Sequence, residues 1–77
     1  MSKYRSDTEG NLMNLSARES AVLALVASGH SYKEIGIKLK ISTRTVQTYM
    51  DRSIFKLQAN SRSNAIAKYI ASHNSII

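Results

Sequence analysis

From Leu15 onward, apolar residues recur three and four positions apart, in runs that open on serine. That spacing is one face of a helix, and no stretch alternates apolar and polar residues long enough for a strand. Four helices are predicted, an all-α chain. The first begins in LSARES, where Ser16 is an N-cap and Glu19 completes a capping box. Arg18, Val22, Leu25 and Val26 follow at helical spacing, and Gly29 closes the run. The second, about two turns long, repeats the signal in SYKEI: Ser31 caps, Glu34 is its partner, and Ile35 and Leu39 form an apolar pair. Lys40, Ile41 and Ser42 connect it to the third helix, with Ile41 as an apolar plug and Ser42 as the next cap. The third helix is placed at 43–57. A fourth, at 62–72, has Ser61 as its cap and Ala65, Ile66, Tyr69 and Ile70 on one face. Residues 1–14 are polar and aperiodic, a tail expected to be mobile to Gly10, with Leu12 and Leu15 in reach of the core. A domain is thus expected over 15–73, with a short tail at 74–77.

Two helices joined by so tight a turn, followed by a longer third, are the organisation of a helix-turn-helix DNA binder. At about 100° per residue, Val46, Met50, Ile54 and Leu57 make one stripe of the third helix, expected to be buried. Ser53 falls inside that arc and leaves a small polar group near the core, with Tyr49 at its border. The opposite face carries Arg44, Gln47, Thr48, Asp51, Arg52 and Phe55. A merely solvated face would be richer in Lys and Glu. These side chains are of base-reading type: Gln47 can pair with adenine through both amide atoms, and Arg44 or Arg52 with guanine. The Thr48 methyl can lie on that of thymine, and Asp51 can accept from the cytosine amine. Near phosphates the same carboxylate repels. The alternative for Asp51 is therefore a solvated group at the groove edge that lowers non-specific affinity, or one partly paired with Arg52 or Lys56. Phosphate contacts are expected from Ser31, Tyr32 and Lys33 at the start of the second helix. Ser42, Thr43 and Thr45 would act likewise at the start of the third, with Lys56 on its flank. Ser31 and Ser42 can cap and lie beside a phosphate at once.

Charge sharpens this picture. The chain has 77 residues and a net charge of +6. Basic and acidic residues balance over 1–32, so the whole excess lies within 33–68, around the third helix. Such a field attracts polyanions, most often nucleic acid, less often acidic proteins or membrane surfaces; the plain alternative is a solvated basic face. With no cysteine, neither a disulfide framework nor a thiolate zinc site is available. His30 and His73 have no carboxylate or cysteine at ligand or triad spacing, and no glycine-rich phosphate loop is present. No enzyme activity, cofactor or metal is expected. MSKYRSDTEG is not followed by an apolar run, and no stretch approaches the roughly 20 apolar residues of a membrane span. The expectation is a soluble, cytoplasmic protein.

The run L-S-A-R-E-x-x-V-L-x-L-V-A-x-G-x-S-x-K-E-I-x-x-x-L-x-I-S-x-x-T-V, followed by K-L, R and A-I, resembles the LuxR-type (GerE-like) helix-turn-helix domain. The likeness extends from Leu15 to Ala71. It implies a four-helix bacterial transcription regulator, nucleoid-associated and usually dimeric, whose third helix enters the major groove and whose fourth forms the dimer contact. It also implies either a single-domain regulator or a piece excised from a longer one. Several positions depart from the pattern. Tyr32 stands for the usual asparagine, Gly36 for alanine, Gln47 for lysine and Tyr49 for histidine; Ser53 replaces a core isoleucine, and Ala21 a glutamate. Loss of the lysine and gain of Asp51 make the reading face less basic. That implies a different target sequence or reliance on a dimer, and Ser53 implies a less stable core.

The expected partners are double-stranded DNA and a second copy through Ala67, Lys68 and Ala71 on the fourth helix, with Ile66 and Ile70 turned to the core. RNA polymerase or another regulator are further partners. The competing reading is a protein-interaction helix-turn-helix that heterodimerises with another regulator, motivated by Gln47, Asp51 and Phe55. Phe55 would dock that partner or pack against the fourth helix. Region four of a sigma factor has a similar scaffold, but the K-L, R and A-I tail favours the LuxR type. Membrane binding ranks last, because the apolar stripes are narrow.

Overall fold

The computed structural model describes residues 14–74. Of the tail expected over 1–14, residues 1–13, with Leu12, lie outside the described residues, as do residues 75–77. Four helices, α1 (Ala17–Ala27), α2 (Tyr32–Leu39), α3 (Thr43–Lys56) and α4 (Arg62–Asn74), account for the fold, with no strand among the described residues.

Short-range side-chain chemistry sets the helix starts. The Ser16 hydroxyl accepts from the Glu19 N–H at 3.1 Å, and Glu19 Oε1 accepts from the Ser16 N–H at 2.8 Å. Ser31 and Glu34 repeat the arrangement at 3.1 and 2.9 Å. The Ser42 hydroxyl accepts from the Thr45 N–H at 3.0 Å, and that of Ser61 from the Asn64 N–H at 3.1 Å. Each bond satisfies an amide that the helix itself leaves unpaired. Chain reversals end the helices. Gly29 takes φ 98° after α1, where the His30 N–H reaches the Leu25 carbonyl at 3.1 Å. After α2, Lys40 adopts a left-handed φ of 59°, and the Ile41 N–H returns to the Gly36 carbonyl at 2.9 Å. A Cβ on Gly36 would meet the Ile41 carbonyl oxygen at 2.7 Å. The turn between α2 and α3 is closed over that missing side chain.

The core is Val22, Leu23, Val26, Ile35, Val46, Met50, Leu57 and Ala65. α1 lies against both α3 and α4, and α2 packs beside α3. Of the stripe expected on α3, Val46, Met50 and Leu57 are buried and Ile54 only partly so, with Ser53 fully buried among them; its hydroxyl donates to the Tyr49 carbonyl at 2.9 Å. That bond makes a buried serine tolerable where an isoleucine would fill the space. Leu15 and Ile41 pack on the core from its edge. Leu23, not singled out in the sequence, is fully buried, while Leu25 is only partly so.

One expectation fails on α4, and one of the two alternatives for Phe55 on α3 is removed. Ile70 is not a core residue: it is 42% exposed, and Ala65 and Tyr69 hold the inner face instead. With Ala65 at the centre of that face, Ile70 lies about 140° around the helix. Phe55 does not pack on α4; it is 84% exposed.

One ion pair ties α3 to α1. Lys56 Nζ donates to Glu19 Oε1 at 2.8 Å, with Glu19 almost wholly buried. Burial works to raise the Glu19 carboxyl. The Lys56 hydrogen bond, the Ser16 N–H, the Lys56 charge and the Ser16 hydroxyl together outweigh it and hold the group below its ordinary value. Across the other side, Arg18 Nη1 donates to the Leu39 carbonyl at 3.3 Å, closing the carboxyl end of α2.

Candidate nucleic-acid interface

With Val46, Met50, Ser53 and Leu57 turned inward, α3 must show its other side to solvent. Arg44, Gln47, Thr48, Asp51, Arg52 and Phe55 are all exposed there. At 1.5 Å per residue the row from Arg44 to Phe55 runs about 16 Å. The described residues contain one ion pair, Lys56 with Glu19, so neither Arg44 nor Arg52 is neutralised by a carboxylate.

The partner of Asp51 is Gln47. Gln47 Nε2 donates to Asp51 Oδ1 at 3.0 Å, a contact between positions one helical turn apart. The alternative pairing of Asp51 with Arg52 or Lys56 is not what the structure holds. The bond uses one amide hydrogen of Gln47 and leaves its other N–H and its Oε1 open. Asp51 keeps its second oxygen. The Thr48 hydroxyl donates to the Arg44 carbonyl at 3.2 Å, so its hydrogen is satisfied by its own helix.

The other expected contacts gather at two helix starts. Ser31, Lys33 and Glu34 are exposed at the amino end of α2, with Tyr32 half-buried. Ser42 and Thr43 are exposed at the start of α3, and Ser42 Oγ lies 2.9 Å from Thr45 Oγ1. Each start aims unpaired amides and a favourable dipole outward. A shallow hollow lies between them, lined by Lys33, Ile37, Lys40, Ser42 and Thr43. Lys56 is placed differently: its ammonium sits on Glu19 and reaches the Asn14 carbonyl at 3.4 Å.

One contact had no signal in the sequence reading. The Arg62 guanidinium carbon lies 5.2 Å from the centroid of the Tyr32 ring, so the start of α4 rests on the start of α2. Burial raises the Tyr32 phenol above its ordinary value; the Arg62 charge opposes this and the Asp51 charge adds to it. Tyr32 therefore lies within the electrostatic reach of both. On the outer side of α4, Ala67, Lys68, Ile70 and Ala71 are exposed.

No helix among the described residues is long and apolar enough to cross a membrane. The family pattern described as bacterial regulatory proteins, luxR family (GerE), matches residues 13–69. The chain is 44% identical over 54 residues to the transcriptional activator protein CarR of Pectobacterium carotovorum subsp. carotovorum, covering 70% of this chain and 22% of that protein. It is 36% identical over 67 residues to the transcriptional regulatory protein LiaR of Bacillus subtilis (strain 168), covering 84% and 32%. It is 36% identical over 62 residues to the response regulator protein VraR of Staphylococcus aureus (strain NCTC 8325 / PS 47), covering 80% and 29%. The chain thus spans less than a third of the length of these curated relatives. No solved structure matches it. With its four helices, capped starts and family pattern in register, the chain belongs to the luxR family of bacterial regulatory proteins.

Proposed function

We propose that this chain is a sequence-specific DNA-binding unit of a transcription regulator, with α3 lying in the major groove. The observation that carries the reading is the outward face of α3: five polar or cationic side chains, all exposed, with two guanidinium groups free of any carboxylate. Gln47 reads adenine with the N–H and Oε1 that Asp51 leaves open, its amide plane steadied by that bond. Thr48 offers its methyl to thymine, because its hydroxyl is turned to the helix. Arg44 and Arg52 serve guanine, and the second Asp51 oxygen accepts from a cytosine amine. Ser31, Tyr32, Lys33, Ser42, Thr43 and Thr45 hold the phosphates that border the groove. Lys56 is left to Glu19 and so to the fold.

Two copies meet through α4, with Ile70 as the apolar anchor between Ala67 and Ala71 and Lys68 at the rim. A twofold axis there would set two α3 helices in successive major grooves. Selection of bound sequences from a random DNA pool, then anisotropy titration of the winner across a salt series, tests the reading. A DNA binder loses affinity steeply with salt, with a slope set by the phosphates contacted. The exposed Phe55 favours a second reading, a surface for RNA polymerase or another regulator. Absence of salt-dependent binding, with a co-purifying regulator instead, would favour it over the first.

A further inference from the structure

We propose that Arg62, held in place by the Tyr32 ring, is a third phosphate anchor that lies outside the two-helix motif. The inference rests on the DNA-binding reading and adds a contact that the motif itself does not contain. Arg62 is the first residue of α4, on the far side of the chain reversal that follows α3. Its guanidinium nonetheless lies over the ring of Tyr32, the first residue of α2, at 5.2 Å. Tyr32 sits between Ser31 and Lys33, where the unpaired amides of α2 already favour an anion. A positive charge from α4 is thereby added to that end of α2.

The contact suits a phosphate better than an internal ion pair. Arg62 is exposed, and no carboxylate among the described residues pairs with it. A guanidinium over an aromatic ring is held through its charge and spends none of its N–H donors in a hydrogen bond. Those donors match two phosphate oxygens. The ring also removes part of the rotamer freedom that a long cationic side chain would otherwise lose on binding. Asp51 influences the same ring from the reading face.

The test is an anisotropy titration of the full chain on its selected duplex and on a random duplex, across a salt series. Arg62→Gln is expected to weaken both duplexes alike, about tenfold, and to lower the salt slope by about 0.9 per bound copy. Tyr32→Phe gives up the phenol's own phosphate contact but keeps the ring under Arg62, so it should weaken binding less than Tyr32→Leu does. Tyr32→Leu frees the guanidinium and should weaken binding severalfold while the salt slope stays at the parent value. Thermal melts of all three keep loss of fold apart from loss of contact. An unchanged slope in Arg62→Gln, or a change confined to one base position, overturns the inference. Lys33→Gln separates the two levels of the argument. If it lowers the slope and Arg62→Gln does not, only the anchor fails; if the parent shows no salt-dependent binding, the reading beneath it fails as well.

Discussion

Lys56→Met is the most informative single change, because it leaves the apolar stem of the side chain and removes only the charge that reaches Glu19. The Glu19 side chain is 3% exposed, that of Lys56 36%, and the pair is 2.8 Å apart. Breaking a fully buried pair by removing one partner costs about 3–5 kcal/mol, because a charge is left buried and uncompensated. Two features reduce that here. Lys56 is partly in water, which screens the pair, and Glu19 keeps the Ser16 N–H. A loss of about 2–3 kcal/mol at pH 7 follows. In a domain of this size that is a fall in Tm of roughly 8–24 °C. The pH dependence provides the sharper test. In the parent, Glu19 is held below its ordinary value. Its contribution is therefore fully present above the unfolded pKa, near 4.5, and is lost as pH falls through the folded value. Without Lys56, burial dominates and the carboxyl rises, so the variant sheds its unpaired charge as the solution is acidified. Urea denaturation from pH 7 to pH 3 should show the gap between parent and variant narrowing. A gap under about 0.5 kcal/mol at pH 7, or one that does not change with pH, would refute the reasoning. The same variant bears on DNA binding: with Lys56 on Glu19, its loss should leave the salt slope unchanged.

Other changes probe the reading face, the turn and the α4 strip. Gln47→Ala should cost roughly 1–3 kcal/mol on the selected duplex and relax preference at one base position; a uniform loss across sequences would assign it to phosphate instead. Asp51→Asn should raise affinity for random duplex more than for the selected one, narrowing the ratio measured by competition anisotropy. Equal weakening on both would remove Asp51 from specificity. Gly36→Ala sets a helix-propensity gain of about 1 kcal/mol against a Cβ placed 2.7 Å from a backbone oxygen. Overpacking of that kind costs about 1–3 kcal/mol, so a lower Tm is expected; an unchanged or higher one would mean that the turn yields freely. Ile70→Glu should leave helicity intact and abolish the dimer in sedimentation on DNA, and a dimer that survives it would place the interface elsewhere.

What was legible in the sequence was local. Ser16, Ser31, Ser42 and Ser61 could be read as caps because a hydroxyl and an amide three residues on must meet if a helix starts there. The inner stripe of α3, including Ser53, followed from periodicity alone. The failures have a common cause in distance along the chain. Glu19 is read as a capping-box residue and it is one, but its second partner lies 37 positions away and no pattern joins them. The Tyr32–Arg62 contact links the starts of two helices, which share no period. Ile70 reads as a core residue because hydrophobicity weights a large side chain above a small one. The inner face of α4 is centred on the small, fully buried Ala65. For Phe55 the sequence permits either a partner or α4, and its exposure removes packing against the neighbouring helix.

The carboxylate on the reading face is the remaining tension, and energy scale helps to resolve it. An exposed hydrogen bond between positions one turn apart stabilises a helix by only about 0.2–0.5 kcal/mol. The Gln47–Asp51 bond therefore adds little to the stability of α3. Its larger consequence lies outside the folded monomer. A negative charge facing a polyanion disfavours every duplex to a similar degree, and only a base amine within reach offsets the cost at the right sequence. Discrimination of that kind works by penalising the wrong partner more than by rewarding the right one. It requires attraction from elsewhere to keep binding possible at all, and the unpaired Arg44 and Arg52, with the two helix starts, are placed to supply it. On this reading Asp51 is compatible with a DNA-reading helix because the surrounding charges provide affinity, leaving the carboxylate to narrow the choice of sequence.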